Sequence, residues 1–157
     1  MPKPRATWSE KLNDSKGLPK VKPIPDSMSK TWGTGTLVIP APAEVDEFMR
    51  KVPKGKLTTI NDLRAALARK HQATIGCPMT TGIFSGFAAR AAEEQRQSGR
   101  ADVTPYWRTL KAGGLLNEKY PGGAEAHAAL LKAEGHMVVK KGAKYFVQDY
   151  QQALAQL

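Results

Sequence analysis

The residues able to carry chemistry in this chain are few, and they separate by type. Cys77 is the single thiol, which excludes an intrachain disulfide framework and leaves too few ligands for a zinc ribbon. A thiol becomes a nucleophile when a neighbouring base lowers its pKa, and His71 is the nearest histidine in sequence, though at no fixed motif spacing. The same cysteine, beside Pro78, suits a small apolar core position. His127 and His136 have no carboxylate at a helical spacing that completes a metal site, so no metal and no other cofactor is expected.

Aromatic and basic side chains are densest in Thr104-Pro105-Tyr106-Trp107-Arg108-Thr109-Leu110, which leads into the turn Ala112-Gly113-Gly114. Pro105 fixes its own φ and biases Thr104 toward extended structure, so Tyr106 and Trp107 are presented from a stiff segment. They either line a pocket that stacks an extruded base, worth ~1–3 kcal/mol per stacked base, or fill the core behind a strand. Strict alternation would turn one inward and the other outward.

A net charge of +10 calls for a polyanionic partner, and nucleic acid fits it better than an anionic membrane surface. Lys140, Lys141 and Lys144 cluster around Gly142, where they clamp a phosphate backbone or decorate a solvated turn. Thr80, Thr81 and Ser85 stand where a helix begins, and free backbone N–H groups there favour anions; simple capping is the alternative.

Several elements must position these groups. Residues 1–36 hold seven Lys/Arg against three acids, with five prolines and sparse apolar residues. They read as a disordered basic tail in which Trp8 and Trp32 are the side chains with reason to dock. The folded part, 37–157, begins at Leu37-Val38-Ile39. Val45, Phe48, Met49 and Val52 then recur at helical spacing, with Pro42 suited to the start and Pro53 with Gly55 to the stop. Thr59 followed by Asp62 resembles a capping box opening a second helix to about Lys70. After a connector, His71 to Pro78, either Thr80 or Thr81 caps a third helix with Ile83, Phe84, Phe87 and Ala91 facing inward. Gly122-Gly123 precedes a fourth helix from about Ala124 to Glu134. Met137-Val138-Val139 and Tyr145-Phe146-Val147 form a hairpin, and Asp149 caps a short terminal helix. The fold expected is mainly α with a small β-hairpin, in the order of a winged helix-turn-helix.

Taken together, Pro105-Tyr106-Trp107-Arg108, the run from Gly122-Gly123 through Leu130-Leu131 to Glu134-Gly135, and the entry Pro53-Lys54-Gly55-Lys56-Leu57-Thr58-Thr59 resemble the DNA-binding domain of the O6-alkylguanine-DNA alkyltransferases. They are most similar to its alkyltransferase-like subset, over about residues 37–150. The resemblance places Tyr106 where the alkyl-accepting Cys stands, Trp107 at the activating His, and Glu134 at the carboxylate that orients that His. A phenol of reference pKa ~10 is a far poorer nucleophile than a thiolate, and an indole is no base. The resemblance therefore implies binding without alkyl transfer. Thr80 and Thr81 fall at the family's intercalating Arg, and Ile60 at the Tyr that helps rotate the base. Arg108 matches, and Tyr120-Pro121-Gly122-Gly123 matches the loop closing over the base pocket.

The expected function is a non-enzymatic protein that binds duplex DNA and recognises alkylated guanine for repair signalling, with a repair protein as a further partner. Phosphates would be held by Thr80, Thr81, Ser85, Arg108, Lys140, Lys141 and Lys144, and the base by Tyr106, Trp107, Tyr120, Gly122 and Gly123. A regulatory module binding RNA or a protein on the same scaffold is the alternative, and a methyltransferase using Cys77 a third. With no secretory signal and no apolar run near ~20 residues, a monomer in the cytoplasm, nucleoid-associated in a bacterium, is expected.

Overall fold

In the computed structural model, which describes residues 7–157, the N-terminal segment does not behave as a tail. Helix α1 (Trp8–Asn13) starts at Thr7, whose hydroxyl accepts the Glu10 N–H at 3.1 Å. Strand β1 (Lys20–Pro23) and the single-turn α2 (Ser29–Trp32) follow, then β2 (Thr36–Ile39). Pairing of β1 with β2 is antiparallel, from Lys20 opposite Ile39 to Pro23 opposite Thr36. Leu12 and Ile24 are buried. The expectation of disorder is thus corrected for residues 7–36. Trp8, Leu12, Leu18, Ile24, Met28 and Trp32 join core clusters with residues distant in sequence, which composition does not reveal. Lys3 and Arg5 of that expected tail lie outside the described residues.

Helix α3 (Pro42–Arg50) carries Pro at its first position, where the missing N–H is not needed, and buries Val45 and Met49 completely. After β3 (Thr58–Thr59), α4 (Ile60–His71) begins at Thr59, which accepts the Asp62 N–H at 3.2 Å. The connector contains β4 (Ile75–Gly76), parallel to β2 with Leu37 opposite Ile75. Helix α5 (Pro78–Gln97) then runs for 20 residues. Its cap is Cys77 rather than Thr80 or Thr81, because Pro78 already takes the first helical position.

Tyr106–Arg108 is a 3-10 turn, not a strand; only β5 (Thr109–Leu110) is extended, parallel to β3 with Thr58 opposite Thr109. Helix α6 (Gly123–Ala133) and the hairpin β6 (Val138–Lys141) and β7 (Lys144–Val147) complete the order expected. Asp149 precedes a terminal 3-10 turn, Tyr150–Ala153, without capping it through its side chain. The main core joins α3, α4 and α5 through Val45, Met49, Leu63, Leu67 and Phe84. A second cluster, Leu57, Leu110, Leu116, Leu131 and Val147, seats α6 and the hairpin on β3 and β5. No helix among the described residues is long and apolar enough to cross a membrane.

Candidate functional site

Along the first half of α5, Met79, Gly82, Ile83, Gly86, Phe87 and Arg90 recur at i, i+3, i+4, i+7, i+8 and i+11, a single helix stripe. Phe84 and Ala91 face the core as expected, but Ile83 does not. It is 52% exposed, and Met79 is 65% exposed one turn before it. A glycine inside a helix costs about 1 kcal/mol relative to alanine. A Cβ added at Gly82 would meet nothing within 4 Å among the described residues, and one at Gly86 would meet only the Arg90 guanidinium. Internal packing therefore does not require glycine at position 82.

Opposite this stripe stand Ile60 and Asn61 at the start of α4 and the loop from Lys111 to Tyr120. Together they enclose an open groove of about 530 Å³. Arg90, Lys111 and Lys119 line it, and among the described residues no carboxylate does. Arg90 lies 5.1 Å from the Trp8 ring and donates to the Lys119 carbonyl at 3.4 Å, so α1 holds it at the groove edge. Lys111 meets Glu118 only at 3.5 Å on the surface, a pair of little energetic weight.

Tyr120 lines the groove while 2% exposed. Its hydroxyl faces the Ser85 and Asn117 side chains, with no partner in hydrogen-bonding geometry among the described residues. Burial pushes that phenol up to about 12. A second cavity of about 310 Å³, between the same loop and the hairpin, shares Lys111 and is bordered by Lys144. The hairpin is pinned there by the Leu116 N–H on the Tyr145 carbonyl at 3.0 Å.

The residues expected at the site divide between surface and interior. Lys140, Lys141 and Lys144 are exposed on the hairpin. Thr81 and Ser85 are fully buried, their hydroxyls donating to the Cys77 and Gly82 carbonyls at 2.7 Å, so neither reaches a phosphate. Thr80 is half-buried with its hydroxyl unpartnered among the described residues. Gly122 and Gly123, expected at the base pocket, form the left-handed turn into α6 (φ 83° and 78°) and do not line the groove. A Cβ at Gly122 would sit 2.5 Å from that of Ala126.

Tyr106 and Trp107 do not line the groove either. Tyr106 is 2% exposed and meets Tyr120 edge-on, ring centres 5.4 Å apart. Its hydroxyl donates toward Glu93 at 3.5 Å, and burial, reinforced by the Glu93 charge, pushes the phenol up to about 12. Trp107 is half-buried and packs against both core clusters. The 3-10 turn replaces strand alternation, which is why neither ring is directed outward as a platform.

Arg108, expected on phosphate, is internal. Its Nε and Nη2 donate to the two carboxylate oxygens of Glu134 at 2.9 and 2.7 Å, and Nη1 donates to the Val52 carbonyl at 2.8 Å. Burial alone would raise the Glu134 pKa; the guanidinium outweighs it and holds the carboxyl below its ordinary value. Glu134, which the resemblance places at the carboxylate that orients a His, orients Arg108 here.

Cys77 is buried against Ile24 and Leu37, and His71 is engaged with Glu44 at 2.7 Å, so the expected alternative nucleophile lacks both access and a free base. His127, weighed only as a metal ligand, proves to be a tie. Its Nδ1 accepts the Asn117 N–H at 3.1 Å and its Nε2 donates to the Trp107 carbonyl at 2.8 Å. Sequence reasoning also missed Met79, Arg90, Lys111 and Lys119. The helical stripe through Met79, Ile83 and Arg90 carried a signal, but the loop cations did not.

No family model matches the chain, and no curated protein sequence matches it. Two solved structures align with it. The crystal structure of S. pombe ATL in complex with DNA does so with a TM-score of 0.52 at 11% identity, covering 74% of this chain and 94% of that one. S. pombe Atl1 in complex with damaged DNA containing O6-carboxymethylguanine aligns with a TM-score of 0.49 at 13% identity, with the same 74% and 94% coverage. At 11% identity, the likeness to the S. pombe ATL structure is one of fold alone.

Proposed function

We propose that this chain is a DNA-binding protein on an alkyltransferase-like fold, that it holds duplex DNA across the α5 groove and the basic hairpin, and that it transfers no alkyl group. The observation carrying this reading is the groove itself: three cations, no carboxylate among its described lining residues, and an exposed helix stripe. Such a surface attracts phosphates and offers apolar area to bases. The S. pombe ATL structure of similar fold holds DNA, which agrees with it. The side chains support the reading that no alkyl group is transferred: Tyr106 is buried, its phenol is pushed up to about 12, and Arg108 with Glu134 forms a closed pair. An altered guanine would enter the groove above Tyr120, with Tyr106 supporting that ring from behind.

Titration of duplexes with and without O6-methylguanine across a salt series tests both levels. Tighter binding of the lesion duplex, with affinity falling steeply as salt rises, is expected. Equal affinity for both duplexes would remove the lesion preference alone. Absence of salt-dependent binding would remove the DNA role.

A further inference from the structure

We infer that α1 carries a phosphate contact outside the groove: Lys11, seated on the Trp8 ring beside Arg90, holds the backbone of the strand that leaves the groove along the seam between α1 and α5. The inference rests on the DNA-binding reading and adds to it a contact on an element that neither the groove nor the hairpin includes. Trp8 and Lys11 stand three residues apart on α1 and so share a face of that helix. The Lys11 ammonium lies 4.2 Å from the centre of the Trp8 ring, and the Arg90 guanidinium 5.1 Å from it. Arg90 donates to the Lys119 carbonyl, so basic residues run from the groove loop across α5 to α1.

Packing does not call for two cations on one ring. Trp8 is already held by the Phe87 ring at 5.6 Å and by Glu94 on its N–H at 3.0 Å. Like charges gathered on one ring oppose each other, and an anion beside both relieves that opposition. The carboxylates of α1 and its surroundings are turned elsewhere. The two Glu94 oxygens accept the Trp8 and Ser9 N–H groups, and Asp14 pairs with Lys16 at 3.9 Å. Glu10 is exposed, but adjacent helix positions do not face one another. On α5, a Cβ at Gly86 would come within 2.9 Å of the Arg90 guanidinium, so the glycine leaves room for that group. A row of cations along a seam fits a strand of regularly spaced phosphates, whereas a second copy of this basic chain would bring like charges together.

The test uses the full chain and a duplex, with affinity measured across a salt series and backbone protection mapped by hydroxyl-radical cleavage. Lys11→Gln should lower the slope of log affinity against log salt by about 0.9 and uncover one edge of the protected stretch while the rest stays covered. Lys11→Arg should restore both. Since Lys11→Gln removes one cation–π contact at a half-buried position, its thermal midpoint should fall by no more than about 4 °C. In the unaltered protein, duplex should slow acetylation of Lys11, read by peptide mass, which needs no variant at all.

An unchanged slope and footprint in Lys11→Gln, a Lys11→Arg variant that behaves like Lys11→Gln, or equal acetylation of Lys11 with and without duplex would each overturn the α1 contact while leaving binding in the groove intact. A midpoint that falls further, with slope and footprint unchanged, would make Lys11 a packing residue alone. Failure of the unaltered protein to bind any duplex in a salt-dependent way would remove the DNA reading and the α1 contact with it.

Discussion

Arg108 and Glu134 show how one residue's meaning changes with its surroundings. With side chains 13% and 9% exposed, they form a desolvated bidentate pair that also fastens the Val52 carbonyl. Removing one partner leaves an uncompensated buried charge, so Arg108→Ala should destabilise the chain by about 3–5 kcal/mol in urea unfolding. The same variant should leave the salt slope of duplex binding unchanged, whereas removing a side chain that neutralises a phosphate would lower that slope by about 0.9. His127 makes a second prediction. Burial depresses its pKa to about 4, and its Nδ1 already receives the Asn117 N–H, so a proton there has no place. Between the unfolded value of ~6.5 and about 4 the unfolded chain binds a proton that the folded chain does not, so stability falls as pH falls through that window. The loss should reach about 3 kcal/mol by equilibrium denaturation, and His127→Gln should flatten the slope.

At the scale of elements, α1 is the informative case. Glu94 of α5 accepts the Trp8 and Ser9 N–H groups at 3.0 and 3.2 Å, satisfying donors that open the helix. The Trp8 ring lies 5.6 Å from that of Phe87, with Lys11 at 4.2 Å on it. Trp8→Ala should therefore lower unfolding stability by about 2 kcal/mol, less than for a fully buried Trp. A segment that packs on nothing would show no change. The same docking brings Arg90 to the groove edge, so this variant should also weaken duplex binding modestly.

Across the whole molecule, basic charge spans two cavities that share Lys111, with Arg90 and Lys119 on one side and, on the other, Lys144 beside the carboxylate of Glu118. Lys140 and Lys141 extend that surface along the hairpin. Replacing Lys140, Lys141 and Lys144 together by Ala should leave stability near its original value, because all three are exposed. The slope of affinity against salt should fall by about 0.9 for each phosphate no longer neutralised, uniformly across duplex sequences. An unchanged slope would take the hairpin out of the interface and confine it to the groove.

Sequence by itself determined what is local. Apolar spacing located α3, the Thr59–Asp62 signal opened α4 at its observed first residue, and the double glycine located the start of α6 within one residue. Tertiary structure decided which side chains meet. The docking of α1 depends on Glu94, more than eighty residues away in sequence, and the Arg108 pair on Glu134 at the end of α6. Ile83 and Phe84 are adjacent apolar residues on one helix; only the packing of α5 against its neighbours left one outside and the other within. Periodicity describes a helix's own faces, whereas burial is fixed by what arrives from elsewhere in the chain.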